Sequence, residues 1–160
     1  MQSELSEVYI NSAEQLTVGV GWKPIASMLS SRAYHTLVPM ASQIYAVAGM
    51  NSSGYLDSIE CWENATWRNV AVHLPEAISD PTAKAVGGNT LLILGGMHEF
   101  GFLNSALEID LTANTCKAYT LPVEIYTGNN CITRQGANFV LFNTLKEVVR
   151  LTYERGVRLG

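Results

Sequence analysis

The sequence predicts an all-β fold built from repeated units of four antiparallel strands. Three landmarks recur at a shift of 47 residues: IYAVAGM at 44–50 over LLILGGM at 91–97, LDS at 56–58 over LNS at 103–105, and LP at 74–75 over LP at 121–122. A shared offset at three places is hard to obtain by chance. A period of this length with several short apolar runs is typical of a β-propeller blade.

Each period divides into four short runs that are rich in Val, Ile, Tyr and Trp and are bounded by Gly, Pro, Asn and Ser, as expected of strands. In the first complete unit these runs are HTLVPM, QIYAVAG, SIECWE and WRNVAV, at 35–40, 43–49, 58–63 and 67–72. The triplet Gly87-Gly88-Asn89 predicts a tight hairpin between two later runs. EVVRLTYE, at 147–154, is interpreted as a strand and not as an amphipathic helix, because of its β-branched pair and its place in the repeat.

The repeat divides one domain into a partial blade at 5–29, complete blades at 30–76 and 77–123, and a divergent blade at 124–160. This is a partial propeller of three to three and a half blades. In the leading unit, residues 7–10 and 22–29 are predicted to form the two outer strands, with 15–21 as an insertion. Glu60 and Glu108 are interpreted as equivalent, with a one-residue insertion or deletion between the two units.

The segment from 22 to 67 resembles the kelch repeat. In that family a strand that ends in Gly-Gly is followed by a Glu and then a Trp, and a Met, an Arg and a His open the next blade. Here the corresponding residues occur in the family's order, as Met28, Arg32, His35, Glu60 and Trp67. The second unit keeps Gly95-Gly96 and Glu108, but it has Cys116 or Lys117 in place of the Trp, and the third keeps only the apolar pattern.

These residues also have physical reasons to be structural. A glycine after a buried strand can adopt a positive φ or allow close approach of another backbone. A tryptophan can bury a large apolar area between neighbouring blades. Glu60 and Arg32, at their spacing, are expected to form an inter-strand pair that is repeated between blades. His35 is expected to be a hydrogen-bonded core residue and not a ligand or a base.

Composition excludes several classes of function. The 160 residues are 48% apolar and 15% charged, with a net charge of −4 and no basic run, which argues against nucleic-acid binding. Three separated cysteines are expected to be core thiols of a reduced protein, with one disulfide still open. The first residues show no signal-peptide pattern, and no apolar run reaches the ~18 residues of a membrane span. We therefore expect a cytoplasmic location and no membrane partner.

No catalytic, metal-binding or phosphate-binding motif occurs in the sequence. We therefore expect no enzyme activity, no cofactor, no metal and no catalytic residue. His98-Glu99 is expected to be solvated surface. The resemblance also leaves an alternative function, a carbohydrate-binding or sugar-modifying enzyme of the mutarotase or oxidase type.

The expected function is a protein–protein interaction scaffold, since kelch propellers often serve as substrate adaptors or actin-associated scaffolds. Three groups of residues are predicted to contact a partner of unknown identity: His98, Phe100 and Phe102 in the loop HEFGFL, Tyr55 at the matching place one blade earlier, and Arg32, Tyr34 and Lys84 in the loops that open the blades. A competing interpretation folds both phenylalanines back over the rim of the blade. An arc of three blades exposes apolar faces, so we also expect a closed propeller to form with another copy or chain, unless divergent ends cap the arc.

Overall fold

The computed structural model describes residues 8–122, 125, 131–135, 138–142, 148–153 and 157–159, with side chains described up to 125. In chain order the strands are β1 Ala13–Thr17, β2 Gly21–Ile25, β3 Thr36–Met40, β4 Gln43–Val47, β5 Met50–Asn51, β6 Gly54–Tyr55, β7 Ile59–Glu63, β8 Thr66–Asn69, β9 Thr82–Gly87, β10 Thr90–Leu94, β11 Met97–His98, β12 Gly101–Phe102, β13 Ser105–Asp110, β14 Thr115–Thr120, β15 Cys131–Gln135, β16 Asn138–Phe142, β17 Val148–Tyr153 and β18 Val157–Leu159. Within this part of the chain, no helix is long and apolar enough to span a membrane.

Three sheets of four antiparallel strands confirm the predicted blades. Their orders are β3-β4-β7-β8, β9-β10-β13-β14 and β15-β16-β17-β18, so each sheet follows the chain from its first strand to its fourth. Strand β9 contacts both β3 and β15, so the first strands of neighbouring blades lie side by side. EVVRLTYE forms a strand over its described residues, as predicted.

The second strand of each of the first two blades is apolar on both faces, because a blade is covered on both sides by its neighbours. Leu91 to Leu94 in β10 are completely buried, and so is Val47 in β4. One core cluster joins residues of both blades, with Ile59 and Leu91 among its members. A continuous apolar run bounded by turn residues is the expected pattern for such a fully buried strand.

The repeat is visible in individual backbone hydrogen bonds. Donor and acceptor recur 47 residues apart in three pairs of bonds: Ala48 N to Ser58 O and Gly95 N to Ser105 O, Leu56 N to Gly49 O and Leu103 N to Gly96 O, and Ile78 N to Leu56 O and Ile125 N to Leu103 O, all between 2.8 and 3.1 Å. The landmarks found in the sequence therefore mark one backbone geometry that occurs twice.

The glycines of the landmark have the predicted roles. Gly49 has a φ of 103°, and a Cβ at this position would lie 2.6 Å from the backbone oxygen of Ala33. Gly95 has a φ of 58°, and a Cβ there would lie 2.6 Å from Cβ of Ile125. Both positions thus combine a conformation that favours glycine with a neighbour that leaves no room for a side chain.

The leading unit differs from the prediction. Strands β1 and β2 form a hairpin in which Leu16 pairs with Trp22, so residues 15–21 are part of the hairpin and not an insertion. Gly19 and Gly21, both with positive φ, allow the chain to turn there. Residues 8–10, predicted as part of a strand, lie in none, and residue 7 is outside the described residues.

The equivalence of Glu60 and Glu108 was also wrong. In the first complete blade, Glu60 pairs with Ala46. The residue of the second blade that corresponds to Ala46 is Ile93, and Ile93 pairs with Leu107. Because side chains alternate along a strand, Glu108 faces the opposite side, where its carboxylate accepts a hydrogen bond from the Tyr119 hydroxyl at 2.9 Å. No insertion or deletion separates the two units at this point.

Strand pairing also decides which residue of the second blade takes the place of Trp67. In the first complete blade, Trp67 pairs with Trp62. The residue of the second blade that corresponds to Trp62 is Ile109, and Ile109 pairs with Cys116. Of the two residues that the sequence left open, Cys116 therefore occupies the tryptophan position.

Candidate functional site

The candidate site is a groove between two short hairpins at one face of the blades. Hairpin β5–β6 joins the second and third strands of the first complete blade, and β11–β12 does so in the next. The groove has a volume of about 380 Å³, and its lining residues are Gly54, Tyr55, Glu76, Ala77, His98, Glu99 and Phe100. It therefore brings together three of the predicted contact residues: Tyr55, His98 and Phe100.

His98 organises one wall of this groove. Its Nδ1 accepts a hydrogen bond from the backbone N–H of Phe100 at 2.8 Å, so the proton of the neutral ring is on Nε2. Nε2 lies 3.4 Å from Oε1 of Glu76, and the side chain is only 17% exposed. The expectation of solvated surface was therefore wrong for His98, whereas Glu99 is exposed.

Phe100 is the most prominent aromatic side chain of the groove. Its ring is 85% exposed and stands edge-on to the ring of His98, with 5.5 Å between centroids. The interpretation in which the phenylalanines cover the rim of the blade does not hold for Phe100. Phe102, which pairs with Met97 in the β11–β12 hairpin, is 37% exposed and does not line the groove.

The groove is acidic as well as aromatic. Glu76 and Glu99 are exposed, and the seven described residues that line the groove include neither Lys nor Arg. Sequence reasoning did not select Glu76, because the connecting loop was predicted to begin at residue 77. The signal that could have identified it is the position of Glu76 directly after Leu74-Pro75, where the chain leaves one blade for the next.

The structure places the three weaker candidates away from the groove. Arg32 is buried, and this removes it from the contact surface. Lys84 lies within β9 and not in the connecting loop, because the innermost strand begins at Thr82. Tyr34 is exposed in the loop before β3, and its carbonyl accepts the N–H of Asp80 at 2.7 Å.

Arg32 and Glu60 form the predicted ion pair, completely buried, although Arg32 lies in the segment before β3 and not in a strand. Nη2 of Arg32 lies 2.6 Å from Oε1 of Glu60, and Nη1 donates to the carbonyl of Ala48 at 2.7 Å. The Glu60 carboxylate also accepts the backbone N–H groups of Leu29 and Ser30, at 2.7 and 2.9 Å. A buried carboxylate with three such donors anchors the segment that enters the first complete blade.

Neighbouring His35 is half-buried. Burial lowers the pKa of its imidazole, and the positive charge of Arg32 acts in the same direction. Its Nδ1 has no hydrogen-bond partner among the described residues. This location fits the predicted core role more closely than a role in binding.

At the next interface between blades the ion pair is absent, and a cleft takes its place. Ile78 occupies the position of Arg32, as its backbone hydrogen bonds show. Leu107 occupies the position of Glu60, as its strand pairing shows. The cleft has a volume of about 340 Å³, and its lining residues are Pro75, Glu76, Ile78, Leu103, Ser105, Leu107 and Ala118. Glu76 belongs to both hollows, so the cleft adjoins the groove.

Trp67 packs between the first complete blade and the segment that follows the leading hairpin. It is 8% exposed and clusters with Met28, Ala46 and Trp62. Its indole Nε1–H donates to the carbonyl of Ala26 at 3.0 Å. The predicted burial of this tryptophan between blades is confirmed.

The described cysteines are core thiols. Burial raises the pKa of Cys61 and of Cys116, which favours the protonated, unreactive form. The side chain of Cys131 lies outside the described residues. In the part of the chain with described side chains, no group of three or more His, Cys, Asp or Glu residues is placed to hold a metal ion.

Comparison with known proteins agrees with this architecture. A solved structure, "Structure of YjhT", superimposes on 94% of this chain with a TM-score of 0.77 and 13% sequence identity, so the likeness concerns the fold alone. The match spans 58% of the YjhT chain. Together with the sheets, it defines the chain as a set of β-propeller blades of four antiparallel strands.

Sequence comparison finds a kelch motif in the first complete blade. Residues 31–71 match the kelch motif, within the segment where the resemblance was predicted to be strongest. Kelch-like protein 35 of Mus musculus is 33% identical over 82 residues, which make up 50% of this chain and 14% of that protein. The chain therefore contains a kelch motif, and it spans a minor part of this relative.

Proposed function

We propose that this chain is a non-enzymatic protein-interaction scaffold that binds a partner at the groove between its two short hairpins. The observation that carries the proposal is Phe100, whose ring is 85% exposed on a loop fixed by His98. Exposed aromatic rings on rigid supports are enriched among the residues that dominate binding energy. Loops held on a rigid scaffold are also where recognition is concentrated.

The proposal predicts that Phe100→Ala weakens partner binding without loss of stability. Peptides are first selected from a random display library on the immobilised wild-type chain, and their affinities are measured by calorimetry. We expect Phe100→Ala to weaken binding about tenfold or more, as for a central aromatic contact, and Phe102→Ala to have a smaller effect. The urea midpoint should be unchanged, because the Phe100 ring buries little area.

A matched control lies at the opposite face of the blade. Ile44 has the same 37% exposure as Phe102 but is the second residue of β4, at the end away from the groove. Ile44→Ala should therefore leave the affinity unchanged. If no peptide is selected, or if Phe100→Ala binds as well as the wild type, the groove is not the partner site.

We also propose that two copies of this chain associate to complete the propeller. The leading hairpin exposes a group of apolar side chains: Leu16, Val18, Val20 and Trp22. Strand β1 pairs only with β2 in the described part of the chain, so its other edge is open to a further strand. The greater length of the YjhT chain supports an arrangement in which the arc continues.

Light scattering over a concentration series tests this assembly. The chain has a mass of 17.4 kDa, and we expect about twice that mass at high concentration, as for a C₂ dimer. Replacing Val18 and Val20 with lysine should restore the monomer, because both side chains would be buried in the interface. A monomeric mass over the whole concentration range would contradict the proposal.

A further inference from the structure

The groove contains uncompensated negative charge. Glu76 and Glu99 line it, its seven lining residues include neither Lys nor Arg, and the imidazole of His98, which accepts the Phe100 N–H at Nδ1, has Nε2 at 3.4 Å from Oε1 of Glu76. This separation is longer than the 2.7–3.2 Å of an ordinary N–H···O hydrogen bond. A ligand with positive charge therefore gains electrostatic energy on entry.

Aromatic rings line the same hollow. Tyr55 and Phe100 contribute from the two different hairpins, and Phe100 is held by the His98 hydrogen bond to its backbone. The face of an aromatic ring attracts an ammonium or guanidinium group within about 6 Å of its centroid. Rings also pack against the apolar stem of a lysine or arginine side chain while its charged head reaches a carboxylate.

From this combination we infer that the groove accepts a lysine or arginine side chain, so that the partner presents a basic peptide segment. The inference rests on the proposed function and names the chemistry of its partner. Charge complementarity excludes an acidic segment, which would place like charges against Glu76 and Glu99. Divalent cations fit poorly, because hard cations take six or more oxygen ligands and the lining contains only two carboxylates.

The backbone around the groove is already fixed for this ligand. Ser79 and Met97 exchange two hydrogen bonds, at 2.8 and 2.9 Å, and Ile78 donates to Leu56 at 3.1 Å. These bonds tie the segment after Glu76 to β11 and to the residue that follows β6. Binding therefore requires little ordering of the loops, which leaves more of the interaction energy for affinity.

The sequences of the selected peptides test the inference directly. Peptides are selected from the random display library on three immobilised proteins: the wild-type chain, the double variant Glu76→Gln/Glu99→Gln, and Glu63→Gln as a matched control. Glu63 is a half-buried carboxylate paired with Arg68 at the opposite face. We expect enrichment of Lys and Arg on the wild type and on the control, and loss of that enrichment on the double variant.

Affinity gives a second readout. The peptide most enriched on the wild type should bind the double variant about fivefold more weakly, the value of one partly exposed ion pair. Its affinity for the wild type should also fall as salt is raised, because these charges are exposed. The urea midpoint of the double variant serves as the check of folding.

The outcomes separate this inference from the proposed function. If peptides are selected and depend on Phe100 but show no enrichment of Lys or Arg, the scaffold function stands and the inference is wrong. The inference is also overturned if the double variant selects the same basic peptides. If no peptide depends on Phe100, the proposed function itself fails.

Discussion

Replacing Trp67 with alanine is expected to lower the free energy of unfolding by about 3–5 kcal/mol, the usual cost of truncating a buried tryptophan. The side chain is 8% exposed and packs against Met28 and Ala46, from the segment after the leading hairpin and from the first complete blade. Truncation leaves a cavity and removes the hydrogen bond to the Ala26 carbonyl. Urea unfolding followed by far-ultraviolet circular dichroism measures the loss.

The chain contains a matched control for this substitution. Trp22 holds the corresponding place in the leading hairpin, 45 residues earlier, but it is 65% exposed. Trp22→Ala should change the unfolding free energy by no more than about 0.5 kcal/mol when measured at low protein concentration, where association is weak. Equal losses for both substitutions would show that burial between blades does not explain the role of Trp67.

The second large effect is expected for Arg32→Met, which should cost about 3–5 kcal/mol, because it leaves the buried charge of Glu60 without its counter-ion. Both side chains are completely buried, and their closest atoms are 2.6 Å apart. Methionine can fill part of the volume of the arginine side chain, so the loss of unfolding free energy comes mainly from the unpaired charge of Glu60. The same urea titration at neutral pH measures it.

A double substitution provides the contrast. Arg32→Ile with Glu60→Leu copies the residues that the next blade has at these positions, Ile78 and Leu107. Replacing a buried ion pair as a whole by apolar groups is often nearly neutral, so the double variant should be more stable than Arg32→Met. A double variant less stable than Arg32→Met would indicate that the backbone bonds to Glu60, and not the ion pair, dominate the stability of this site.

The repeat allowed most of the fold to be predicted from the sequence. Strands β3, β4 and β7 fall within their predicted runs, because fully buried strands bounded by turn residues have a strong signal. In the leading unit, Trp22 was aligned correctly with Trp67, but the strand that pairs with β2 was predicted at residues 7–10 and lies at Ala13–Thr17. Gly19 and Gly21 form the turn of the leading hairpin with positive φ, whereas the corresponding turn of the first complete blade uses Asn64 and Ala65, also with positive φ, and has no glycine.

The candidate site was predicted in part. Tyr55, His98 and Phe100 were found because they lie in loops between apolar runs, where exposed aromatics are conspicuous. Glu76 was missed, since its place in the groove depends on how the connecting segment crosses from one blade to the next. Arg32 was assigned both a structural and a binding role, and only its burial separates the two.

The hydrogen bonds between blades have a consequence for how the chain unfolds. Gly49 donates to Ile78 at 2.9 Å and Asp80 donates to Tyr34 at 2.7 Å, so the segment that enters one blade is fastened to the blade before it. Opening one blade therefore breaks bonds that position its neighbour. The stability of the array is then dominated by nearest-neighbour coupling, and the first two complete blades unfold as one cooperative unit and not as independent modules.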